Sequence, residues 1–228
     1  MSVSFRVISI GALAAHPLWD ERGEVRAGHA TTTLISAGKA RIIVDPSLPP
    51  QVLLPRLAER TNVKPDEITH VFLTCLHPLQ RRGITAFPKA EWLVGSNERE
   101  AIGVPLVAKF NEARDAGDRE LVRLLMQEIE LVERCRPAPD RIEQGVDLFP
   151  LPGVTPGLSG LLLPLHHATV LVAGDAIATQ EHLEQGQVLQ QCHDVAAARG
   201  SFAEAIEIAD LIVAGRDNIL MNPARRPF

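Results

Sequence analysis

A short apolar strand that opens into a polar loop is the feature that most constrains the fold of this chain. The run 68–73 is rich in β-branched and large apolar residues, ends at Thr74, and leads at once into Cys75 and His77. Cysteine and histidine are preferred zinc ligands in proteins. The pattern therefore indicates a strand-to-loop junction of the kind that binds metal.

The segment 74–83 resembles the signature of the metallo-β-lactamase superfamily. In that signature a strand ending in Thr runs into His-x-His-x-Asp-His and then a small residue or Gly. In this register Cys75 takes the first histidine position and His77 keeps the second. Leu79 replaces the aspartate and Gln80 replaces the third histidine. The resemblance implies the fold of the superfamily with an altered metal site.

Four further segments resemble landmarks of the same superfamily, in the same order along the chain. Asp175 keeps the position of the bridging aspartate, whereas Val154 and Arg216 replace metal-binding histidines. The resemblance covers nearly the whole chain and implies a four-layer αββα sandwich. The four segments are the Val-Asp step at 44–45, the Pro-Gly loop 151–159, and the strands 170–175 and 211–217.

The replaced positions argue against a complete metal centre on chemical grounds alone. Leu79 and Val154 have no atom that binds a metal. Gln80 offers only a neutral amide oxygen, which neither matches the preference of zinc for N and S nor offsets its charge. Arg216 carries a permanent positive charge and would repel a nearby cation. A dinuclear hydrolase centre is therefore not expected.

Two interpretations of the remaining residues stay open. In one, the site is degenerate and the protein lacks hydrolase activity. Arg216 then supplies the positive charge that a metal would supply, pairs with Asp175, and lines a pocket together with Gln80. In the other, Cys75, His77 and Asp175 bind one zinc ion, whose water hydrolyses a small ester, lactone, thioester or phosphoester. The first interpretation predicts no cofactor and the second predicts zinc.

The degenerate site could still bind a small anionic ligand or a protein partner. Arg81, Arg82 and Arg216 could converge at its mouth and hold a carboxylate or phosphate through their planar donor forks. Alternatively, Arg81 and Arg82 are solvated loop residues. A compensating metal ligand could come from a histidine elsewhere in the chain, although each candidate is equally well explained as a surface residue. These candidates are His29, His182 and His193.

Composition favours one soluble domain over residues 1–228. A hydrophobic content of 46% is enough for a sizeable core. The net charge of −5 and the absence of Tyr argue against binding to nucleic acid or to an anionic membrane. Three widely spaced cysteines suit a reducing compartment, so a cytoplasmic location is expected. No apolar run is long enough to cross a bilayer.

Periodicity and turn residues predict the order of the elements. Strands are predicted at 4–13, 31–36, 40–44, 71–74, 91–95, 146–151, 160–165, 169–173 and 211–214. Helices are predicted at 51–60, over 97–134, and at 202–209 with Ser201 as N-cap. The helical insertion near 97–136 carries a leucine stripe that suits either core packing or a homo-oligomer face. The run 218–228 is predicted to be a docked tail, too short for another pair of elements.

Overall fold

The structure is a computed structural model that describes residues 3–225. It contains twelve strands in two six-stranded sheets and five α-helices over that part of the chain. The strands are β1 (Val3–Ser9), β2 (Thr32–Ala37), β3 (Ala40–Val44), β4 (His70–Leu73), β5 (Glu91–Val94), β6 (Arg136–Pro137), β7 (Arg141–Glu143), β8 (Val146–Pro150), β9 (Ser159–Pro164), β10 (Thr169–Gly174), β11 (Leu211–Ala214) and β12 (Ile219–Met221). The helices are α1 (Pro50–Arg60), α2 (Ser96–Asp115), α3 (Arg119–Arg134), α4 (Gln180–Gln185) and α5 (Val195–Ile208).

Each sheet contains both antiparallel and parallel pairs of strands. The first sheet has the order β1 to β6, with antiparallel pairs up to β3 and parallel pairs from β3 onwards. The second sheet has the order β12-β11-β10-β9-β8-β7, and only the pair β10 and β11 is parallel. Because parallel neighbours end at the same edge of a sheet, the carboxyl ends of β3 and β4, and those of β10 and β11, lie side by side.

Three hydrophobic clusters fill the spaces between four layers. The middle cluster joins the two sheets and contains Phe72 of β4 and Val172 of β10. The second packs the outer face of the first sheet against Leu53 and Leu57, which lie one turn apart on α1. The third packs the outer face of the second sheet against α5 through residues such as Phe202. The fold is therefore the αββα sandwich that the sequence predicts.

The predicted helical stretch is divided into two helices that pack as a hairpin. Gly117 makes the turn with a positive φ of 74°, and the side chain of Asp118 accepts a hydrogen bond from the N–H of Leu121 at 3.0 Å. This N-cap begins α3 and separates it from α2. The residues on both sides of this turn favour helix, so the sequence pattern predicts one continuous helical stretch and does not show where the first helix ends.

Several predicted elements differ from the structure. The first strand ends at Ser9, because the chain then leaves the sheet edge. Ser201 is not an N-cap but lies inside α5. The N-cap of that helix is Asp194, just before Val195, and its side chain accepts from the N–H of Ala197. The predicted tail contains β12, which adds an antiparallel edge strand to β11. Strands β6 and β7 and helix α4 were not predicted, and residues 226–228 lie outside the described residues.

No helix within residues 3–225 is long and apolar enough to cross a membrane.

Candidate functional site

The polar residues that follow the parallel strands meet at one edge of the sandwich. Asp45 follows β3, Cys75 lies just beyond β4, Asp175 follows β10, and Arg216 lies just beyond β11. Gly215 allows this close approach, since a Cβ atom there would lie 2.6 Å from Oδ1 of Asp175. The two sheets thus bring together side chains that are distant in sequence.

A buried ion pair forms the centre of the site. Arg216 donates from Nε to Oδ1 of Asp175 at 2.7 Å and from Nη2 to Oδ2 at 2.6 Å. Nε2 of Gln80 donates to the same Oδ2 at 2.8 Å. The side chains of Arg216 and Asp175 are each only 6% exposed. Both carboxylate oxygens of Asp175 are therefore occupied by side-chain donors in a dry environment.

The pair fixes the charge state of Asp175. Burial by itself raises the pKa of a carboxyl group, but the Arg216 charge and the hydrogen bonds from Arg216 and Gln80 outweigh it, so the pKa of Asp175 lies below its ordinary value. Burial likewise acts to lower the pKa of Arg216, and Asp175 reverses that effect and raises it. Both groups are ionised at neutral pH.

Asp45 supports the neighbouring strand end. Its carboxylate accepts from the N–H of Thr74 at 2.9 Å and from the Thr74 hydroxyl at 2.7 Å. Asp45 has a positive φ of 45°, a conformation that Asp tolerates better than most residues. Burial raises the pKa of Asp45 to about 7 despite the two hydrogen bonds from Thr74. Asp45 therefore positions the loop that carries Cys75 and is itself close to half-protonated at neutral pH.

Cys75 and His77 are both engaged within the protein. Cys75 is buried, and burial, reinforced by the nearby carboxylates, raises the pKa of its thiol well above the ordinary value. Desolvation of part of the otherwise exposed His77 ring, together with the Arg216 charge, lowers the pKa of His77 and favours the neutral imidazole. Nδ1 of His77 accepts from the N–H of Leu79 at 3.2 Å, so the proton of the neutral ring lies on Nε2. A zinc ion would therefore need the thiolate of Cys75 and a ring nitrogen of His77 freed from its proton or from Leu79.

The residues of the site do not fit a zinc ion. Across residues 3–225 no three His, Cys, Asp or Glu side chains are grouped closely enough to hold a metal. Asp175, which takes the position of the bridging aspartate in the superfamily, is engaged by the guanidinium of Arg216 and the amide of Gln80. A cation at this point would lie against the positive charge of Arg216 and would have to displace it.

A cavity of about 590 Å³ opens above the ion pair. Its floor contains Cys75, His77, Asp175 and Arg216. Its walls come from the loop after β1, from Leu79, from the Pro-Gly loop at 154–155 and from the segment 189–191. The cavity thus combines a polar floor with walls that carry both apolar and polar side chains, and its volume is typical of small-molecule sites.

The segment 13–24 forms one wall of the cavity and is anchored to α4. Nε2 of His16 lies 3.1 Å from Oγ1 of Thr179 and 3.2 Å from Oε2 of Glu181. Trp19 donates from Nε1 to Oε1 of Glu181 at 2.9 Å and stacks on His16 with ring centroids 4.1 Å apart. These contacts hold the wall segment in place.

Glu98 is a structural residue of the site that the sequence did not reveal. It is fully buried at the start of α2, and its carboxylate accepts from the N–H of Leu76 at 3.0 Å, from the hydroxyl of Thr155 at 2.7 Å and from the N–H of Gly157 at 3.0 Å. It therefore ties the loop after β4 to the Pro-Gly loop. In the sequence it is indistinguishable from an ordinary acidic residue in a first helical turn.

The predicted arginine cluster does not form. Arg81 donates from Nε to the carbonyl of Leu76 at 2.9 Å and pairs with Glu128 of α3. Arg82 donates to the carbonyl of Gly28 at 3.1 Å. Neither of them lines the cavity. Each has a nearer backbone or carboxylate partner, so the expectation of three converging arginines is wrong.

The three histidines considered as compensating ligands also lie apart from the ion pair. His29 is half-buried, and its Nε2 lies 2.9 Å from the carbonyl of Ile10. His193 is exposed. His182 is buried, contrary to the surface placement considered for it, and its Nδ1 lies 2.9 Å from Oγ1 of Thr179. Within the described chain none of the three lines the cavity.

Comparisons with known proteins agree with this architecture. A family model for the metallo-beta-lactamase superfamily matches residues 25–211. A metallo-beta-lactamase-type protein of Thermotoga maritima has a TM-score of 0.68 and 19% identity, covering 97% of this chain and 100% of its own. A probable metal-dependent hydrolase of Staphylococcus aureus has a TM-score of 0.69 and 14% identity, covering 98% and 94%.

A third similar structure is AiiA of Bacillus thuringiensis with N-decanoyl-L-homoserine bound at its active site. It has a TM-score of 0.63 and 19% identity, covering 95% of this chain and 94% of its own. A search of curated protein sequences gives no match. At these identities the structural similarities show the fold alone.

Proposed function

The chain belongs to the metallo-beta-lactamase superfamily, and from this premise we propose that it is a member that binds a small molecule and does not hydrolyse it through a metal centre. The observation that carries the proposal is the forked hydrogen bonding of Arg216 to Asp175. A guanidinium there supplies a fixed positive charge to the buried carboxylate, which is the electrostatic role that a metal would otherwise have.

The arrangement of the remaining donors supports the same proposal. Gln80 uses its amide N–H on Asp175 rather than offering an oxygen to a cation. His77 uses Nδ1 to accept from the N–H of Leu79, and the Cys75 thiol is held protonated by burial. A hydrolytic zinc site needs several deprotonated ligands and an open position for water. Here the carboxylate is paired and the thiol is neutral.

A ligand-binding role follows from the cavity above the pair. Its volume of about 590 Å³ lies within the range of small-molecule sites. Asp175 and Arg216 form a rigid floor, because each holds the other in a buried geometry. A floor that is already organised loses little conformational entropy when a ligand binds.

The rival proposal is a mononuclear zinc hydrolase. It is favoured by one observation, namely that Cys75, His77 and Asp175 all line the same cavity. In that case zinc would have to displace Arg216 from Asp175, and the Cys75 thiol would have to lose its proton. The neutral His77 ring would only have to change tautomer or give up the hydrogen bond from Leu79.

Metal content separates the two proposals. We expect protein purified without chelator or added metal to contain only trace zinc by elemental analysis, and the variants Cys75→Ala and His77→Ala to give the same value. The matched control is Cys192→Ala, a half-buried cysteine outside the cavity floor. Stoichiometric zinc that is lost in Cys75→Ala and His77→Ala but kept in Cys192→Ala would overturn the proposal and establish the zinc site.

Hydrolysis assays give an independent test. The proposed function predicts no turnover above the uncatalysed rate for a simple ester, lactone, thioester or phosphoester, with or without added zinc. Zinc-dependent turnover that disappears in Asp175→Asn would contradict the proposal.

A further inference from the structure

The lining of the cavity has no excess of positive charge. Asp175 on the floor is paired with Arg216. Glu21 on the wall accepts from Arg26 at 2.9 Å. The exposed rim carries one further residue of each sign, Arg22 and Glu24. The described residues that line the cavity thus include three carboxylates and two guanidinium groups, so the lining as a whole does not attract an anion.

The floor nevertheless offers free hydrogen-bond donors. Arg216 uses Nε and Nη2 on Asp175, and no residue in the described range 3–225 accepts from its Nη1. His77 carries its proton on Nε2, because Nδ1 accepts from the N–H of Leu79. Both residues line the cavity. A carbonyl oxygen can accept from such donors without bringing any charge.

An acceptor lines the same cavity as these donors. The hydroxyl of Thr155 donates its hydrogen to Glu98 at 2.7 Å, so only its lone pairs are available to a ligand. Donors and an acceptor in one cavity match a carboxamide, which has both a carbonyl oxygen and N–H groups. A carboxylate has no hydrogen to give to Thr155.

The walls provide an apolar surface for the remainder of the ligand. Leu13, Pro17, Leu79, Val154 and Leu189 all line the cavity, and none of them is fully exposed. Burial of aliphatic carbons against such side chains is favourable.

We infer that the cavity takes an uncharged acyl compound, a carboxamide with an aliphatic chain, in preference to a carboxylate or a phosphate. The inference rests on the proposed function, since it assumes that the floor holds the Arg216–Asp175 pair instead of a metal. An anion could accept only from Nη1 of Arg216, because Asp175 already accepts from Nε and Nη2. Two anionic groups would then share one guanidinium in a buried site, which an uncharged carboxamide avoids.

The test compares two probes of nearly the same shape, octanamide and octanoate, by isothermal titration calorimetry at pH 7.5. Burial of a carboxylate without its own counter-charge is more costly than burial of an amide, so we expect octanamide to bind at least about tenfold more tightly. Leu79→Trp fills the cavity and should abolish binding of both probes. Arg56→Gln, on the exposed face of α1 and outside the cavity lining, is the matched control and should leave the octanamide affinity unchanged.

His77→Phe tests the donor at the floor. His77 is exposed and not part of the core, so the variant should fold. Loss of one hydrogen bond is expected to weaken octanamide binding about fivefold. Octanoate binding as tightly as octanamide would overturn the inferred ligand class while leaving a ligand-binding cavity. Binding of neither probe would overturn the proposed function together with this inference.

Discussion

Removal of the Arg216 side chain is the perturbation that most sharply probes the ion pair. Arg216→Met keeps much of the side-chain volume but leaves Asp175 with only the hydrogen bond from Gln80. The two side chains are each 6% exposed, so solvent screens the interaction weakly. Loss of one partner of such a pair costs about 3–5 kcal/mol, because a buried charge is left uncompensated. We expect the free energy of unfolding to fall by that amount.

The measurement is urea unfolding followed by circular dichroism, with Arg22→Met as control. Arg22 is an exposed rim residue, and its substitution should change the free energy of unfolding by less than about 0.5 kcal/mol. The double variant Asp175→Leu with Arg216→Met removes both charges. It should be more stable than the Arg216→Met single variant, since an apolar pair leaves no charge buried.

The pH dependence gives a second readout of the same pair. In the wild type the pKa of Asp175 is lowered, so its stabilising contribution is present above the ordinary carboxyl pKa and is lost as the pH falls through the lowered value. In Arg216→Met burial dominates and the pKa of Asp175 rises. The variant should therefore be more destabilised at pH 8 than at pH 4. A cost below about 1 kcal/mol that does not change with pH would refute the assignment of a buried ion pair.

Three further predictions concern the surroundings of the pair. Burial raises the pKa of Asp45 to about 7, so between about pH 4 and pH 7 the folded state keeps a proton that the unfolded state has lost. The contribution of Asp45 to the free energy of unfolding should therefore fall as the pH rises through this range, by roughly 4 kcal/mol in total. Asp45→Asn should flatten this dependence, and an unchanged urea-unfolding profile would contradict the account. Glu98→Ala leaves two buried backbone N–H groups and the part-buried Thr155 hydroxyl without an acceptor, and should cost roughly 3–5 kcal/mol in the same assay. A loss below about 1 kcal/mol would show that the carboxylate does not tie the loops together. Glu181→Ala removes the acceptor of Trp19 Nε1 and should make Trp19 fluorescence more easily quenched by acrylamide. The buried Trp92 is the internal reference. Equal quenching in variant and wild type would argue against anchoring of the wall segment.

Most of the strands, and the strand ends at which Asp45, Thr74, Asp175 and Arg216 lie, could be predicted from the sequence. Each of these is an apolar run that ends in a polar residue, which is a local pattern of the sequence. The departures from the superfamily signature at Leu79 and Val154 could be read for the same reason.

The tertiary contacts could not be predicted in this way. Arg81 and Glu128 are separated by 47 residues, and no local pattern reveals that they pair. The same holds for His16 with Thr179, separated by 163 residues, and for Glu98 with Gly157. Such partners are chosen by the packing of helices and loops against the sheets. Sequence periodicity reports which face is buried and not which residue lies opposite.

The ends of elements were also hard to predict. The hydrogen bond from Ser201 to the carbonyl of Pro152 at 2.6 Å gives that serine a role within a helix, although its spacing to Glu204 imitates a capping box. Asp194 is the true N-cap and has no such signature. Strand β12 has only three residues and is stabilised by its pairing with β11, which the sequence alone does not show.

The most direct test of the central claim is a crystal structure of the protein grown in excess zinc, with diffraction data collected above and below the zinc absorption edge. The account predicts that Arg216 still holds both oxygens of Asp175 and that no anomalous peak lies within bonding distance of that carboxylate. An anomalous peak bound to Asp175, Cys75 and His77, with Arg216 displaced, would contradict it.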